Sequence, residues 1–331
     1  NRGAARSAES DGRRAVSIGI KRSGAMSKIA FIFPGQGAQV CGMGQDFYEQ
    51  TETGRKVFDT ASEILGFSMP ELCFEKNDRL DITEYTQPAM VTASLAMMKV
   101  LMEQTGIKPD AAAGLSLGEY PAMAAAGVMS EEDAIRTVRE RGILMQEAVP
   151  AGIGAMAAVL AMDAEEIEKV IAPIEGVQIA NYNCPGQIVI SGKKEAVDEA
   201  AEKLKEAGAK RVIPLNVSGP FHSKMLTEAG EKLGKVLDTV EIHKPAIPYA
   251  ANVTAEYVTE AEDVKPLLER QVSSSVRWEQ TMRMMLADGV DTFIEIGPGK
   301  TLAGFMKKID RSVRVINIEK LEDIEKVREL L

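Results

Sequence analysis

The amino-acid sequence predicts an α/β protein with a self-contained βαββαβ unit inserted into it. Three observations lead there. Short apolar runs that end in Gly or Pro alternate with amphipathic stretches from Lys28 onward. The run KIAFIF (28–33) is continuously apolar after its lysine, as a strand covered on both faces would be. Residues 152–218 carry strand, helix, strand, strand, helix and strand patterns in that order.

Residues 1–25 stand apart, with six Arg or Lys against two acids and few large apolar side chains. They read as a leader of vector or mis-started origin, with disorder expected over much of it. An Arg- and Ser-rich transit peptide is the weaker reading. The first strand, 28–33, stops at Pro34-Gly35 and runs into a glycine-rich loop, GQGAQVCGMG, with helix from there to Gly66. A second helix begins near Tyr85–Pro88, where the proline suits a first turn, and continues to Gly106. AAAGLSLGEY then gives a strand and a turn into a small-residue helix. Ser130 caps the next helix, which ends before Pro150.

The inserted unit follows. GAMAAVLAM is a strand, AEEIEKVIAPI a helix, and VQIANYN and QIVISG two strands joined through Cys184-Pro185-Gly186. In KEAVDEAAEKLKEAG, Val197, Ala200, Ala201 and Leu204 fall on one helical face and Gly208 stops the helix. KRVIPLNVS closes the unit, whose order is ferredoxin-like. Beyond it, EKLGKVLDTV, VKPLLERQV, WEQTMRMMLADG and LAGFMKKI read as helices, and AIPYAANV and TFIEIGPGK as strands. The methionine-rich face of WEQTMRMMLADG reads as core filler.

Composition excludes several classes. A net charge of −10, from 39 basic and 49 acidic side chains, disfavours non-specific binding to nucleic acid or an anionic membrane. No apolar run is long enough to span a bilayer. Cys41, Cys73 and Cys184 are scattered and odd in number, which fits a reducing compartment. With two histidines and no paired cysteines, a zinc site is not expected, though an all-carboxylate metal site stays open.

Gly114-Leu115-Ser116-Leu117-Gly118 matches G-x-S-x-G in its expected context, an apolar lead-in before it and a helix after it. Such a turn lifts a serine hydroxyl off the end of a sheet and aims a helix N-terminus at the reacting oxygen. The serine needs a base. His222, in the loop SGPFHS, can reach the end of a sheet, whereas His243 sits among charged neighbours and reads as a surface residue. Two glycine patterns mislead. Residues 152–157 fit G-x-G-x-x-A but precede a strand instead of following one. GPGKT (297–301) lacks the first glycine of a phosphate-binding loop, since position 294 is Ile.

Eight segments, taken in order, resemble the malonyl-CoA:acyl carrier protein transacylases of bacterial fatty acid synthesis. They are FPGQGAQ (33–39), TQPAM (86–90), GLSLGEY (114–120), RERGILMQEAVP (139–150), NYNCPGQIVISG (181–192), GPFHS (219–223), ANVTA (251–255) and EIGPGK (295–300). The resemblance implies an α/β-hydrolase-like core, 26–151 and 219–331, with a ferredoxin-like subdomain, 152–218, inserted in it. It implies a cytoplasmic enzyme with no bound cofactor or metal: malonyl passes from malonyl-CoA to a serine and then to the phosphopantetheine thiol of acyl carrier protein. Carried over by motif, Ser116 is the nucleophile and His222 the base. The backbone N–H groups of Gln36 and Leu117 form the oxyanion hole, and Arg141 pairs with the malonate carboxylate. Asn252 matches the position whose backbone carbonyl accepts a hydrogen bond from the imidazole. Asn183 and Gln187 line the insertion side of the cleft. The expected partners are malonyl-CoA and an acidic carrier protein, met by a monomer with no affinity for nucleic acid or membrane. Lys210 and Arg211, or Lys300, Lys307 and Lys308, are the basic candidates for docking the carrier.

One departure is local. The family has His before the serine, and this chain has Leu115. That residue is not the base, so the chemistry should survive. Two other readings stay open at this level. A serine hydrolase would share the turn and add a triad acid, for which acids between Ser116 and His222 are plentiful. A non-catalytic carrier-binding module would keep the fold with a relict site.

Overall fold

The computed structural model describes residues 21–22, 25–217 and 219–331. Most of the expected leader therefore lies outside the described residues. Its end pairs with itself, β1 (Lys21–Arg22) running antiparallel to β2 (Ala25–Met26).

The larger sheet has six strands in the order β10-β9-β4-β3-β11-β12. These are β3 (Ile29–Phe33), β4 (Ala111–Gly114), β9 (Tyr249–Ala251), β10 (Glu256–Val258), β11 (Thr292–Ile296) and β12 (Arg314–Ile318). All pairings are parallel except β9 with β10 at one edge. Every residue of β3 is buried, and its alternate side chains feed two different cores. Ile29, Phe31 and Phe33 pack with the helix Thr83–Thr105; Ala30 and Ile32 pack with Trp278, Met282, Met285 and Met306 on the opposite face. The methionine-rich helix, Trp278–Ala287, thus fills a core.

A second, antiparallel sheet holds β5 (Gly154–Leu160), β6 (Val177–Cys184), β7 (Gln187–Lys193) and β8 (Arg211–Pro214) in the order β6-β7-β5-β8. Helices Ala164–Ile171 and Lys194–Glu206 pack on it around a separate core. Val197, Ala200 and Leu204 are buried there, and Ala201 sits at its edge.

Four short elements of the main unit, Met69–Phe74, β10, β12 and the helix Ile324–Arg328, are absent from the sequence-based reading. The proline signal also shifts. The helix starts at Thr83, so Pro88 is its sixth residue and not part of the first turn. Pro88 has no N–H for the Glu84 carbonyl. Arg139 Nη1 donates to that oxygen instead, at 2.8 Å, and the guanidinium lies over the Tyr85 and Phe67 rings at 4.8 and 5.3 Å. A tertiary donor therefore completes what the helix lacks.

Candidate active site

The site is built on the turn after β4. Ser116 has φ +54°, a left-handed backbone that strains an L-residue. The glycines on either side are required by space. A Cβ on Gly114 would lie 1.8 Å from the Gly118 carbonyl oxygen, and one on Gly118 would lie 2.2 Å from that of Phe33. The motif spacing thus encodes a close crossing of β3, β4 and the helix Glu119–Ala125.

Asn252, just past β9, staples this turn. Its Oδ1 accepts the Ser116 N–H at 2.7 Å and its Nδ2 donates to the Gly114 carbonyl at 2.7 Å. Its own N–H donates to Glu119 Oε1 at 2.7 Å. Glu119 is fully buried, and burial pushes its carboxyl up to about 7.

His222 reaches the serine from the loop after β8. Its Nε2 lies 2.7 Å from Ser116 Oγ and its Nδ1 lies 2.8 Å from the Gln271 carbonyl oxygen. A carbonyl can only accept, so Nδ1 carries the proton and Nε2 is free to accept from the serine. This corrects the expected role of Asn252, whose carbonyl instead accepts the Arg277 N–H at 3.0 Å. Gln271 ends the helix Ala261–Gln271, and last-turn carbonyls have no partner inside their helix. The imidazole satisfies one of them, and the Val272 carbonyl takes the His222 N–H at 3.0 Å. Burial, with help from the Arg141 charge, lowers the imidazole to about 4. His243 is exposed and lies 3.6 Å from Glu241.

Arg141 comes from the helix Glu131–Glu147, which Ser130 caps, and is 1% exposed. Its fork is held by amides. Nη1 donates to Gln87 Oε1 at 2.8 Å; Nη2 donates to Gln271 Oε1 at 3.0 Å and to Ser116 Oγ at 3.2 Å. Nε is buried without a hydrogen-bond partner among the described residues. A permanent cation is therefore held beside the serine by neutral groups, ready for an anion. Gln271 Nε2 also donates to the Ser116 carbonyl at 3.0 Å, so the side chain of Gln271 joins cation and nucleophile while its backbone carbonyl holds the base.

A cleft of about 330 Å³ opens onto this cluster. Gln36, Leu117 and Asn183 line it with Ser116, Arg141 and His222. Gln36 Nε2 donates to Thr83 Oγ1 at 3.0 Å, which ties the glycine-rich loop to the central helix. Leu117 is second in the single turn Ser116–Gly118; the Ser116 N–H goes to Asn252 and the Gly118 N–H closes the turn on the Leu115 carbonyl at 3.0 Å, while the Leu117 N–H, at a first-turn position, has no partner within the turn. Gln187 is not among the lining residues. It opens β7 opposite Leu160 and Cys184, on the face of Val189 but one step further from the cleft, which Val189 does line. Leu115 also lines the cleft and packs into the second core, contributing no polar side-chain atom. Sequence reasoning missed Gln87 and Gln271. Gln87 lay in a quoted segment, TQPAM, but Gln271 carried no local signal. Among the described residues no group of three or more His, Cys, Asp or Glu is placed to hold a metal ion, and no helix is long and apolar enough to cross a membrane.

Comparison with known proteins gives a consistent result. The acyl transferase domain family matches residues 30–325. The malonyl CoA-acyl carrier protein transacylase of Bacillus subtilis is 50% identical over 305 residues, 91% of this chain and 96% of the relative. The crystal structure of the enzyme of that name from Clostridium perfringens superposes with a TM-score of 0.88 at 45% identity, covering 92% of this chain and 96% of that one. A malonyl-transacylase solved in complex with its type II polyketide acyl-carrier protein gives 0.89 at 38% identity, over 92% and 99% of the two chains.

Proposed function

This chain belongs to the acyl transferase family, among the malonyl CoA-acyl carrier protein transacylases, and from that premise we propose how its cleft performs the transfer. The enzyme moves malonyl from malonyl-CoA to acyl carrier protein. The observation that carries the assignment of residues is the buried Arg141 cation beside a serine already paired with an imidazole.

In the first half-reaction Ser116 Oγ attacks the thioester carbonyl carbon and its proton passes to His222 Nε2. The backbone N–H groups of Gln36 and Leu117 meet the oxyanion. The carbon–sulfur bond breaks, the sulfur takes the proton from the imidazolium, and CoA leaves as the thiol. In the second, the phosphopantetheine thiol gives its proton to His222 and attacks the malonyl ester. The carbon–oxygen bond breaks and Ser116 Oγ regains a proton. Arg141 holds the malonate carboxylate throughout with a planar fork. The Gln271 carbonyl fixes the tautomer, and the helix end that supplies it favours the imidazolium as it forms. That Nδ1 meets a carbonyl and not a carboxylate speaks against a hydrolase triad.

We assign 26–151 and 219–331 to an α/β-hydrolase-like core and 152–218 to a ferredoxin-like subdomain. The nucleophile turn after a parallel strand supports the first assignment, and the sheet order β6-β7-β5-β8 supports the second. We also assign Asn183 to substrate contact, and we take the enzyme to be a cytoplasmic monomer that works on malonyl-CoA with no resident cofactor.

Incubation with malonyl-CoA should add one malonyl mass to the chain, and holo acyl carrier protein should then remove it and gain that mass. Release of free malonate in place of transfer would favour the hydrolase.

The depressed imidazole sets the pH dependence. Only neutral His222 can accept the serine proton, and kcat/KM reports the free enzyme. At pH 5.5 a group at about 4 is still ~97% neutral, whereas an unperturbed imidazole at ~6.5 would be ~10% neutral. The acid limb of kcat/KM for self-acylation is therefore expected near 4. A limb near 6.5 would overturn the role given to burial and Arg141.

Lys300, Lys307 and Lys308 are exposed, and the helix Thr301–Ile309 contributes Leu302 and Phe305 to the cleft wall. We propose them as the rim that meets the acidic carrier. Changing all three to Glu should slow transfer to the carrier, and should slow self-acylation from malonyl-CoA much less. Equal losses in both steps would exclude docking as their role.

A further inference from the structure

His222 works from a strained backbone, φ +58°, in the left-handed region that L-residues rarely adopt. Such a geometry persists only where its surroundings hold it. Two of its restraints come from the helix end at Gln271 and Val272. The third comes from the inserted sheet. Gln178, second residue of β6, donates from Nε2 to the His222 carbonyl at 3.1 Å and accepts the Lys224 N–H at Oε1, 2.8 Å away. One planar amide thus spans the chain on both sides of Ser223.

The same strand braces the other restraint. The Val276 N–H donates to the Ala180 carbonyl at 2.7 Å, the Tyr182 N–H to the Val276 carbonyl at 2.9 Å, and Ser275 Oγ to the Ile179 carbonyl at 2.5 Å. Residues 275–276 follow Gln271 and Val272 after two intervening serines. β6 therefore grips the histidine loop through Gln178 and the segment that receives the imidazole through its backbone.

We propose that Gln178 is a positioning residue for the transacylation. It holds the His222 backbone so that Nε2 stays in reach of Ser116, and through it the inserted antiparallel unit sets the reactivity of the pair. This rests on the serine–histidine reading given under Proposed function.

The test measures malonyl transfer to Ser116 by quenched mass spectrometry, with each rate normalised to the fraction of chains that can be acylated at the end point. Gln178→Ala is expected to lower kcat about tenfold, since sub-ångström misplacement of a base is costly, with KM within about twofold because Arg141 and the cleft walls are untouched. Gln178→Glu separates positioning from structure. Ionised, the carboxylate still accepts from Lys224 N–H but repels the His222 carbonyl; protonated, it can donate to that carbonyl. Glu175, Lys193 and Lys224 line the same pocket as Gln178, and the two lysines favour the ionised form. The Gln178→Glu rate, divided by the unsubstituted rate at each pH, should recover as pH falls through the carboxylate range, while the Gln178→Ala ratio stays flat.

An unchanged kcat in Gln178→Ala, a KM rise with kcat kept, or the two ratios running parallel at every pH would overturn the proposal. If Gln178→Ala does not fold, the pH course of Gln178→Glu decides alone. His222→Ala is run alongside. Acylation of that variant at the unsubstituted rate would remove the serine–histidine reading itself. An inactive His222→Ala beside fully active Gln178 variants would remove only the role given to Gln178.

Discussion

Ser116→Ala is expected to take up no malonyl mass from malonyl-CoA, while the unsubstituted chain takes up one. The loss should be complete, because among the described residues no other hydroxyl or thiol shares the imidazole: His222 Nε2 faces Ser116 Oγ at 2.7 Å and its Nδ1 is engaged by a carbonyl. The fold should be little affected, since alanine keeps the Cβ and the same strained φ of +54°. Ser116→Gly makes the complementary point. Glycine adopts positive φ freely, so this variant should be equally inactive yet more stable by about 1 kcal/mol, read from the denaturant midpoint. An inactive but stabilised enzyme would show that the turn stores strain to present the hydroxyl. Residual labelling in either variant would move the nucleophile elsewhere.

Arg141→Ala should lose malonyl transfer and relatively favour acetyl. Charge-assisted hydrogen bonds from a buried fork are worth roughly 1.5–3 kcal/mol, or about 10- to 150-fold in relative kcat/KM of malonyl- over acetyl-CoA. Competition between the two thioesters, with acyl-serine masses counted, measures this directly. Some stability should be lost too, because Gln87 and Gln271 would each keep a buried amide oxygen without its donor. Arg141→Lys should recover charge without the fork, and so recover only part of the preference. An unchanged malonyl-to-acetyl ratio in Arg141→Ala would show that the carboxylate is recognised elsewhere in the cleft.

Much of the architecture was legible locally. The buried run of β3, the serine cap of the helix Glu131–Glu147 and the glycines around Ser116 are written in consecutive residues. The alternation of strands and helices in 152–218 was equally plain, because each element there has its own periodicity. Misreadings fell where a distant group supplies what the local chain lacks. Pro88 looked like a helix start because a missing N–H is tolerated there; Arg139, 51 positions on, makes it tolerable inside the helix. β12 gives a weaker signal because, at the sheet edge and paired only with β11, it is partly exposed, and Arg314 and Asn317 break its apolar run.

Within the site, the sequence by itself determined the chemically distinctive groups: one serine on a required turn, one histidine in reach of it and, through the family resemblance, Arg141 of the two arginines in a matching segment. The tertiary structure decided how they are held. Asn252 bonds the Ser116 backbone across 136 positions, and Gln271 reaches the Ser116 carbonyl across 155. Asn252 passed as the imidazole's acceptor on motif alone, and its true role came only from where β9 ends. Gln271 and Gln178 gave no signal, because glutamine carries no charge and a backbone carbonyl carries no side-chain identity. A reactive side chain announces itself by its type. The hydrogen bonds that set its tautomer, its strain and its proton affinity depend on which helix end and which strand fold against it, and those contacts exist only once the chain is packed.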